Sequence, residues 1–217
     1  MSLALFDLDN TLLAADSDYL WGVFLVEQGL VDADEYERAN QRFYDDYKAG
    51  RLDIFEFLRF SLRPLSQHDM ATLQGLHRAF MQQHILPVMT EKGKQAIARH
   101  KAQGDCVVII TATNRFITGP IAEAFGADAL IATEPQIIAG RYTGEVEGAP
   151  CFQHGKIERL QQWMQPRGIS LDGSWFYSDS HNDLPLLEQV SHPVAVDPDD
   201  TLRHHAEAHG WPVISFR

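Results

Sequence analysis

Short apolar runs recur along the chain and alternate with segments of helical spacing. The runs that predict β-strands cover residues 3–6, 106–110, 128–132, 174–178, 192–196 and 213–216. The segments that predict helices include 90–102, 115–125, 155–165 and 199–209. Strands that alternate with helices form mostly parallel sheets, and uninterrupted apolar runs suit strands that are buried on both faces. The pattern predicts an α/β fold, with a β-hairpin over 136–146 at the edge of the sheet.

One interval in this alternation is too long for a single helix. A strand–helix–strand unit needs about 30 residues, but about three times that number separate Asp9 from Asp105. The excess is rich in aromatic residues and helix formers, and it predicts helices over 17–29, 32–49, 53–62 and 66–84. We therefore expect a helical bundle, residues 14–87, inserted into a core that is formed by residues 1–13 and 88–217.

The composition limits the partners that the protein can bind. The net charge of −12 opposes binding to nucleic acids and to anionic membrane surfaces. Cys106 and Cys151 are the two cysteines, and they form no disulfide framework or zinc-ligand spacing. The N-terminal segment lacks the basic start of a secretory signal, and no uncharged stretch approaches the roughly 18 residues of a membrane span. These features predict a cytoplasmic protein and leave its oligomeric state open.

Side chains that can carry out chemistry follow several of the predicted strands. Asp7 and Asp9 end the first strand, Thr111 ends the second, and Asp179 ends a later one, while Lys156 opens a predicted helix. Ligands bind at the carboxyl ends of the strands in such sheets, so we expect these groups to meet. Each group alone has an ordinary explanation as a turn, a strand residue, a surface lysine or a helix cap. Their combination favours a shared site.

This set of side chains suits phosphoryl transfer. A carboxylate can attack phosphorus and form an aspartyl phosphate, which divides one difficult step into two. Clustered carboxylates attract Mg2+, a hard cation that prefers oxygen ligands. A lysine and a hydroxyl can stabilise the phosphoryl oxygens, and a second aspartate can protonate the leaving alcohol and later activate water. We therefore expect a Mg2+-dependent phosphomonoesterase that acts on a small phosphorylated metabolite.

The segment Asp7-Leu8-Asp9-Asn10-Thr11 resembles the first motif, DxDxT, of the haloacid dehalogenase-like hydrolase superfamily. The four motifs of that family occur in order along the chain, which is most similar to the phosphoserine phosphatase-type subgroup with a helical C1 cap. The resemblance implies a Rossmann-like core and a cap that closes over the substrate. It also implies that Asp7 is the nucleophile and a Mg2+ ligand. Asp9 would be the general acid and base, with its backbone carbonyl on the metal.

The resemblance further implies how the phosphoryl group is held. Thr111 and the amides that follow it, at Ala112 and Thr113, would bind phosphate. Lys156 would stabilise the phosphoryl charge and the carboxylate of Asp7. These roles come from the family pattern, because neither a lone threonine nor a lone lysine has a specific signature.

The resemblance covers the last motif as well. Asp179 would be the third carboxylate of the metal site, and Asn182 and Asp183 would complete it, with Asp183 orienting the lysine or a metal-bound water. The family usually has Gly-Asp-Gly-x-Asn-Asp here, but this chain carries Ser178 and Ser180 in place of the two glycines.

The residues that would contact the substrate also differ from the family pattern. Phosphoserine phosphatases usually carry a glutamate nine residues after the nucleophile, where this chain has Asp16, with Asp18 close behind. Two acidic groups favour a cationic substrate such as histidinol phosphate, the substrate of one branch of the family, although phosphoserine stays an alternative. Asp16 could instead cap the first inserted helix, with Asp18 in its first turn. Arg59 and Arg63 could bind a substrate anion or form surface ion pairs, and the role of His181 stays open.

Other functions fit parts of this pattern. A phosphoryl-accepting receiver module also uses aspartates, a threonine and a lysine, but it is about half as long and carries its phosphorylated aspartate on a middle strand. A nucleotide-binding oxidoreductase would need a Gly-x-Gly-x-x-Gly turn after the first strand, and this chain has none. A non-catalytic binding protein on the same fold and an enzyme that transfers the phosphoryl group to another alcohol both remain as alternatives.

Overall fold

A mostly parallel β-sheet forms the centre of the protein. The computed structural model describes residues 2–217, apart from the side chain of Lys48, so Met1 of the predicted core lies outside the described residues. Within these residues the strands are β1 (Leu3–Phe6), β2 (Cys106–Asn114), β3 (Ala129–Ile138), β4 (Arg141–Glu147), β5 (Trp175–Ser178), β6 (His192–Val196) and β7 (Val213–Ile214). Their order is β4-β3-β2-β1-β5-β6-β7, and only β3 and β4 pair antiparallel. This confirms the predicted α/β fold.

Helices cover both faces of the sheet and fill the long interval between β1 and β2. They are α1 (Ser17–Glu27), α2 (Ala33–Lys48), α3 (Ile54–Gln67), α4 (Met70–Phe80), α5 (Glu91–Ala102), α6 (Arg115–Phe125), α7 (His154–Met164), α8 (Leu184–Leu187) and α9 (Asp200–His209). An aspartate precedes each of α1–α4 and accepts a hydrogen bond from an amide of the first turn: Asp16, Asp32, Asp53 and Asp69. Such a cap typically contributes about 1 kcal/mol. No helix within residues 2–217 is long and apolar enough to cross a membrane.

The two faces of the sheet bury different side chains, because neighbouring residues of a strand point to opposite sides. In β1, Ala4 and Phe6 pack in the cluster that includes the inserted helices, α5 and α6. Leu3 and Leu5 pack in the cluster that includes α7, α8 and α9. All four side chains are fully buried. The central strand is therefore apolar at every position before it reaches Asp7.

Strand β2 is longer than the sequence predicts. It continues to Asn114 instead of ending at Ile110, because Asn114 pairs with Thr133 of β3 beyond a shift in register. The prediction that Thr111 ends this strand is therefore wrong, and Thr111 lies inside it. The side chain nevertheless lies at the carboxyl end of the sheet, next to β1.

The inserted helices also differ from their predicted limits. α3 continues through Pro64 to Gln67, although a proline inside a helix costs about 3 kcal/mol. Buried leucines on both sides of Pro64 keep this helix packed, which offsets that cost. α4 begins only at Met70, after its capping aspartate. The division of the chain into a core and an inserted cap over 14–87 stays a prediction.

The order of the strands brings the polar strand ends together. β1 lies between β2 and β5, so the carboxyl ends of these three strands are neighbours. After β1 the chain makes a wide turn, Leu8–Leu12, in which Asn10 has a φ of 59°. The guanidinium group of Arg217 donates to the carbonyl of Asn10 at 2.7 Å and to that of Leu13 at 3.2 Å. These bonds hold the loop that carries Asp9 against the core.

Candidate active site

Lys156 joins two buried carboxylates at the carboxyl edge of the sheet. Its Nζ donates to Oδ1 of Asp7 at 2.7 Å and to Oδ2 of Asp183 at 2.8 Å. Burial raises the pKa of Asp7 to about 7, against the opposing attraction of Lys156. Burial would lower the pKa of Lys156, but the charges of Asp183 and Asp7 raise it above its usual range. The lysine therefore stays protonated and favours the anionic form of Asp7.

Thr11 connects Asp7 with Asp179 at the end of the neighbouring strand. Its Oγ1 lies 3.3 Å from Oδ2 of Asp7 and 3.0 Å from Oδ1 of Asp179, and it accepts a hydrogen bond from the Asp179 amide at 3.1 Å. A hydroxyl has one proton, so it donates fully to one carboxylate at a time. Burial and then the charge of Asp7 raise the pKa of Asp179. Negative charge on this pair is therefore costly, because the surrounding side chains do not neutralise it.

That negative charge fits a divalent cation. Mg2+ is usually bound by one or two carboxylates and completes its shell with waters and substrate phosphate oxygens. Asp7 and Asp179 supply such a pair through the oxygens that face Thr11. Within residues 2–217, no group of three or more His, Cys, Asp or Glu side chains comes together to hold a metal. Two carboxylates are nevertheless enough to fit Mg2+, since this ion needs no closed cage of protein ligands.

The carboxylate of Asp9 turns away from this pair, toward β2 and the start of α1. Its Oδ1 accepts a hydrogen bond from the amide of Ser17 at 2.7 Å, and its Oδ2 accepts from the hydroxyls of Thr113 at 2.8 Å and Thr111 at 3.4 Å. Burial and then the charge of Asp16 raise the pKa of Asp9 to about 6. Asp9 can therefore exchange a proton near neutral pH, as general acid–base catalysis requires.

The segment Thr111–Thr113 lies beside Asp9 and is itself ordered by hydrogen bonds. Oγ1 of Thr111 accepts from the amide of Thr113 at 3.2 Å. The carbonyl of Ala112 accepts from the hydroxyl of Thr133 at 2.7 Å. The structure brings these residues to the predicted site, and their binding of phosphate stays a prediction.

The loop after β5 is tied to its surroundings at several positions. The amide nitrogen of the Gln153 side chain donates to Oδ1 of Asn182 at 2.9 Å. Nδ1 of His181 lies 2.8 Å from Oδ2 of Asp199, and the same oxygen accepts from the His181 backbone amide. His181 thus bonds the loop to the residue that precedes α9.

The two acidic residues at the start of α1 have different surroundings. Asp16 caps the helix through its Oδ1, which accepts a backbone amide at 2.8 Å. Asp18 is half-buried, and its carboxylate has no hydrogen-bond or ion-pair partner within the part of the chain that the structure describes. Burial, followed by the charges of Asp16 and Asp9, raises the pKa of Asp18. Arg63 pairs with Glu35 at 2.8 Å on the surface, as the ion-pair alternative predicts.

Three contacts of the site were not found from the sequence. Thr11 stands in the DxDxT motif, and its position beside two aspartates could have identified it. Ser178 donates to Oδ2 of Asp183 at 2.7 Å, so the serine that replaces a family glycine helps to orient the partner of the lysine. The contact of Gln153 with Asn182 has no sequence signal, because it depends on the folded position of a loop.

Comparison with protein-family models matches residues 4–188 to the family of haloacid dehalogenase-like hydrolases. The matched range covers more than half of the chain and includes Asp7, Asp9, Lys156 and Asp179. The chain belongs to this family. Membership of the haloacid dehalogenase-like hydrolases confirms the resemblance that the DxDxT motif indicates, and it agrees with the sheet order and the position of the carboxylates.

Relatives within the haloacid dehalogenase-like family narrow the class of enzyme. A histidinol-phosphatase from Neisseria meningitidis serogroup C (strain 8013) is 45% identical over 220 residues, which cover 100% of this chain and 99% of the relative. A protein of unknown function from Bordetella pertussis Tohama I is 44% identical, with a TM-score of 0.93 over 100% of this chain and 99% of that structure. A substrate-bound phosphoserine phosphatase shares the fold, with a TM-score of 0.71 at 20% identity over 100% and 93% of the two chains. The predicted haloacid dehalogenase-like phosphatase is confirmed.

Proposed function

We propose that this phosphatase hydrolyses histidinol phosphate in a Mg2+-dependent reaction that passes through an aspartyl phosphate on Asp7. The observation that carries the chemistry is the buried contact of Lys156 with Asp7 and Asp183. A full-length relative that is named a histidinol-phosphatase supports the substrate. The carboxylate of Asp18, which has no partner within the described residues, is suited to the cationic end of that molecule.

Asp7 acts as the nucleophile. Lys156 favours the ionised form of its carboxylate, and an oxygen of ionised Asp7 attacks the phosphorus while the bond to the alcohol oxygen of the substrate breaks. Lys156 and the hydroxyl of Thr111 supply positive charge and a donor to the phosphoryl oxygens in the transition state. A Mg2+ ion held by Asp7 and Asp179 would offset the repulsion between the carboxylates and the phosphate.

Asp9 acts as the general acid and then as the general base. Protonated Asp9 donates to the leaving alcohol oxygen in the first step. In the second step its carboxylate accepts a proton from the attacking water, while the bond from phosphorus to the Asp7 oxygen breaks, phosphate leaves and the Asp7 carboxylate is restored. The raised pKa of about 6 suits both transfers. The hydrogen bonds from Ser17 and Thr113 fix the carboxylate between the core and the inserted helices.

The inserted segment, residues 14–87, acts as the cap that excludes water from the reaction. In this proposal Asp18 accepts the ammonium or imidazole group of the substrate. Asp16 adds a second negative charge at the start of α1, which it also caps. A carboxylate that has lost part of its hydration and has no partner gains most when a cationic ligand arrives. Phosphoserine is the second candidate, because the solved structures that share this fold include phosphoserine phosphatases.

Phosphate release from a panel of monoesters tests the proposal. The panel contains histidinol phosphate, phosphoserine, a sugar phosphate and an uncharged aryl phosphate, each with Mg2+ and with excess chelator, and Asp7→Asn is the control. We expect Mg2+-dependent release, with the highest kcat/KM on histidinol phosphate. A higher kcat/KM on phosphoserine would overturn the substrate, and transfer of phosphate to an added alcohol in place of water would overturn hydrolysis.

A further inference from the structure

The loop after β5 departs from the family pattern at Ser180, and the side chain of this residue contacts the inserted helices. Oγ of Ser180 lies 2.8 Å from the phenolic oxygen of Tyr47, which is 133 positions away in the chain. Tyr47 stands near the end of α2, in the segment expected to form the cap. A glycine at position 180 could not make this contact.

Tyr47 lies between two loops of the active-site edge. Its ring is 6.2 Å from the ring of Phe152, in the loop that precedes the helix of Lys156. Burial and then the charge of Asp179 raise the pKa of Tyr47 above its usual range, so the phenol keeps its proton and can act as a donor. A residue of α2 thus lies beside the loop of Asp179 and beside the loop that precedes the helix of Lys156.

The hydroxyl of Ser180 has several partners at once. It accepts from the backbone amide of Asn182 at 3.2 Å and lies 3.3 Å from the side-chain nitrogen of the same residue. A serine oxygen has one proton and two lone pairs. In the bond between Ser180 and Tyr47, either hydroxyl can be the donor. The link therefore joins α2 to the backbone that follows Asp179.

We propose that Tyr47 and Ser180 form a latch that holds α2 against the loop of Asp179, which makes Tyr47 a positioning residue for the reaction. The latch rests on the proposed phosphatase function, because it acts by keeping the inserted helices closed while Asp179 and Asn182 are in place. Loss of the bond frees the loop and the helix from each other without removing any group that touches the phosphate. The serine in place of the usual glycine then has a defined role.

Paired substitutions test the latch. Tyr47→Phe removes only the phenolic oxygen, and we expect kcat/KM to fall about three- to tenfold while the melting temperature falls by only about 2–4 °C, as for the loss of one hydrogen bond. Ser180→Ala also loses the contacts to Asn182, so its loss is at least as large. Because both changes break the same bond, the double variant loses no more activity than Ser180→Ala alone. Tyr19→Phe, at an exposed position of α1, is the matched control and keeps wild-type activity.

Hydrogen exchange separates the latch from the proposed function. In Tyr47→Phe we expect faster exchange of the amides of residues 178–183, with no change in Tyr19→Phe. Wild-type kcat/KM and wild-type exchange in Tyr47→Phe would overturn the latch, as would losses that multiply in the double variant. The kinetics use the aryl phosphate, so a wrong substrate leaves the test intact. Absence of any turnover by the wild type would overturn the phosphatase proposal, and exchange would still decide whether the latch exists.

Discussion

The strand ends and the inserted helices satisfy their polar groups in different ways. At the strand ends, Lys156, Thr11 and Ser178 each bond to a carboxylate of the site. Within residues 2–217, four residues of the inserted helices each bury a side-chain atom that has no hydrogen-bond partner, namely Ser17, Trp21, Tyr36 and Ser61, and Asn114 at the end of β2 buries one more. Leaving such a group unpaired costs about 1–3 kcal/mol. The comparison indicates that the carboxylates of the site are already held by hydrogen bonds, whereas the inserted helices bury several polar groups at a cost in stability.

The largest expected loss of activity comes from substitution of the nucleophile, Asp7, at the strand ends. Asp7→Asn keeps the shape of the side chain but cannot form an aspartyl phosphate, so we expect kcat to fall at least about a thousandfold. Lys156 keeps its bond to Asp183, and the protein should fold. Steady-state phosphate release, with circular dichroism as the control for folding, measures this change. Activity within tenfold of wild type would contradict the assignment.

Substitution of Asp9, the second carboxylate of the DxDxT motif, should lower kcat somewhat less than substitution of Asp7. Asp9→Asn preserves an acceptor for the Ser17 amide but removes the proton donor and acceptor, and we expect a loss of about 10²- to 10⁴-fold in kcat. Wild-type activity should also depend on pH near the raised pKa of Asp9, about 6. The pH profile of kcat/KM for both proteins measures this effect. An unchanged rate in the variant would remove Asp9 from the mechanism.

Metal binding offers a test that does not depend on turnover. Burial raises the pKa of Asp7 from 3.8 to about 7, so the folded metal-free protein binds protons more tightly than the unfolded chain and loses stability as pH rises through that window. Mg2+ should offset this loss and raise the melting temperature by about 5–10 °C at pH 7.5 when it exceeds its dissociation constant a hundredfold. The rise should be much smaller at pH 5, where protons compete. Equal shifts at both pH values, measured at constant ionic strength, would contradict the carboxylate site.

The smallest expected effect concerns Tyr36, a residue of the inserted helices. Tyr36 is buried and its hydroxyl is unpaired, so Tyr36→Phe should keep or raise the free energy of unfolding, by up to about 1 kcal/mol. Because the hydroxyl is fully buried and out of contact with a bound substrate, KM for histidinol phosphate and for the aryl phosphate should both stay close to the wild-type values. Denaturant unfolding and steady-state kinetics measure the two effects. A loss of more than 1 kcal/mol in stability would show that the hydroxyl is already bonded.

The strand-end residues could be predicted because each follows an apolar run that the sequence shows directly. Asp7 and Asp9 come after a fully buried strand, and the fold brings Asp179 beside them through the order of β1 and β5. The length of β2 could not be predicted, since it depends on pairing between Asn114 and Thr133 across a shift in register. Local patterns do not contain that information.

Contacts between distant segments were the other part that the sequence did not reveal. The bond between Tyr47 and Ser180 joins positions that no spacing rule connects, and an aromatic residue in an amphipathic helix usually packs in the core. The different roles of Asp16 and Asp18 also required the structure, because only the folded helix start shows which carboxylate is used as a cap. For Tyr47, Asp16 and Asp18, the direction of the side chain in the folded protein determines the contact more than the residue type does.

The central claim is that chemistry resides at the strand ends and substrate choice in the inserted helices, and Asp18→Asn tests it most directly. The measurement is the ratio of kcat/KM for histidinol phosphate to kcat/KM for the aryl phosphate, in the variant and in wild type. The ratio should fall about 10- to 100-fold, as for the loss of one hydrogen bond to a charged group, while turnover of the aryl phosphate stays at the wild-type level. An unchanged ratio, or an equal loss on both substrates, would contradict the account.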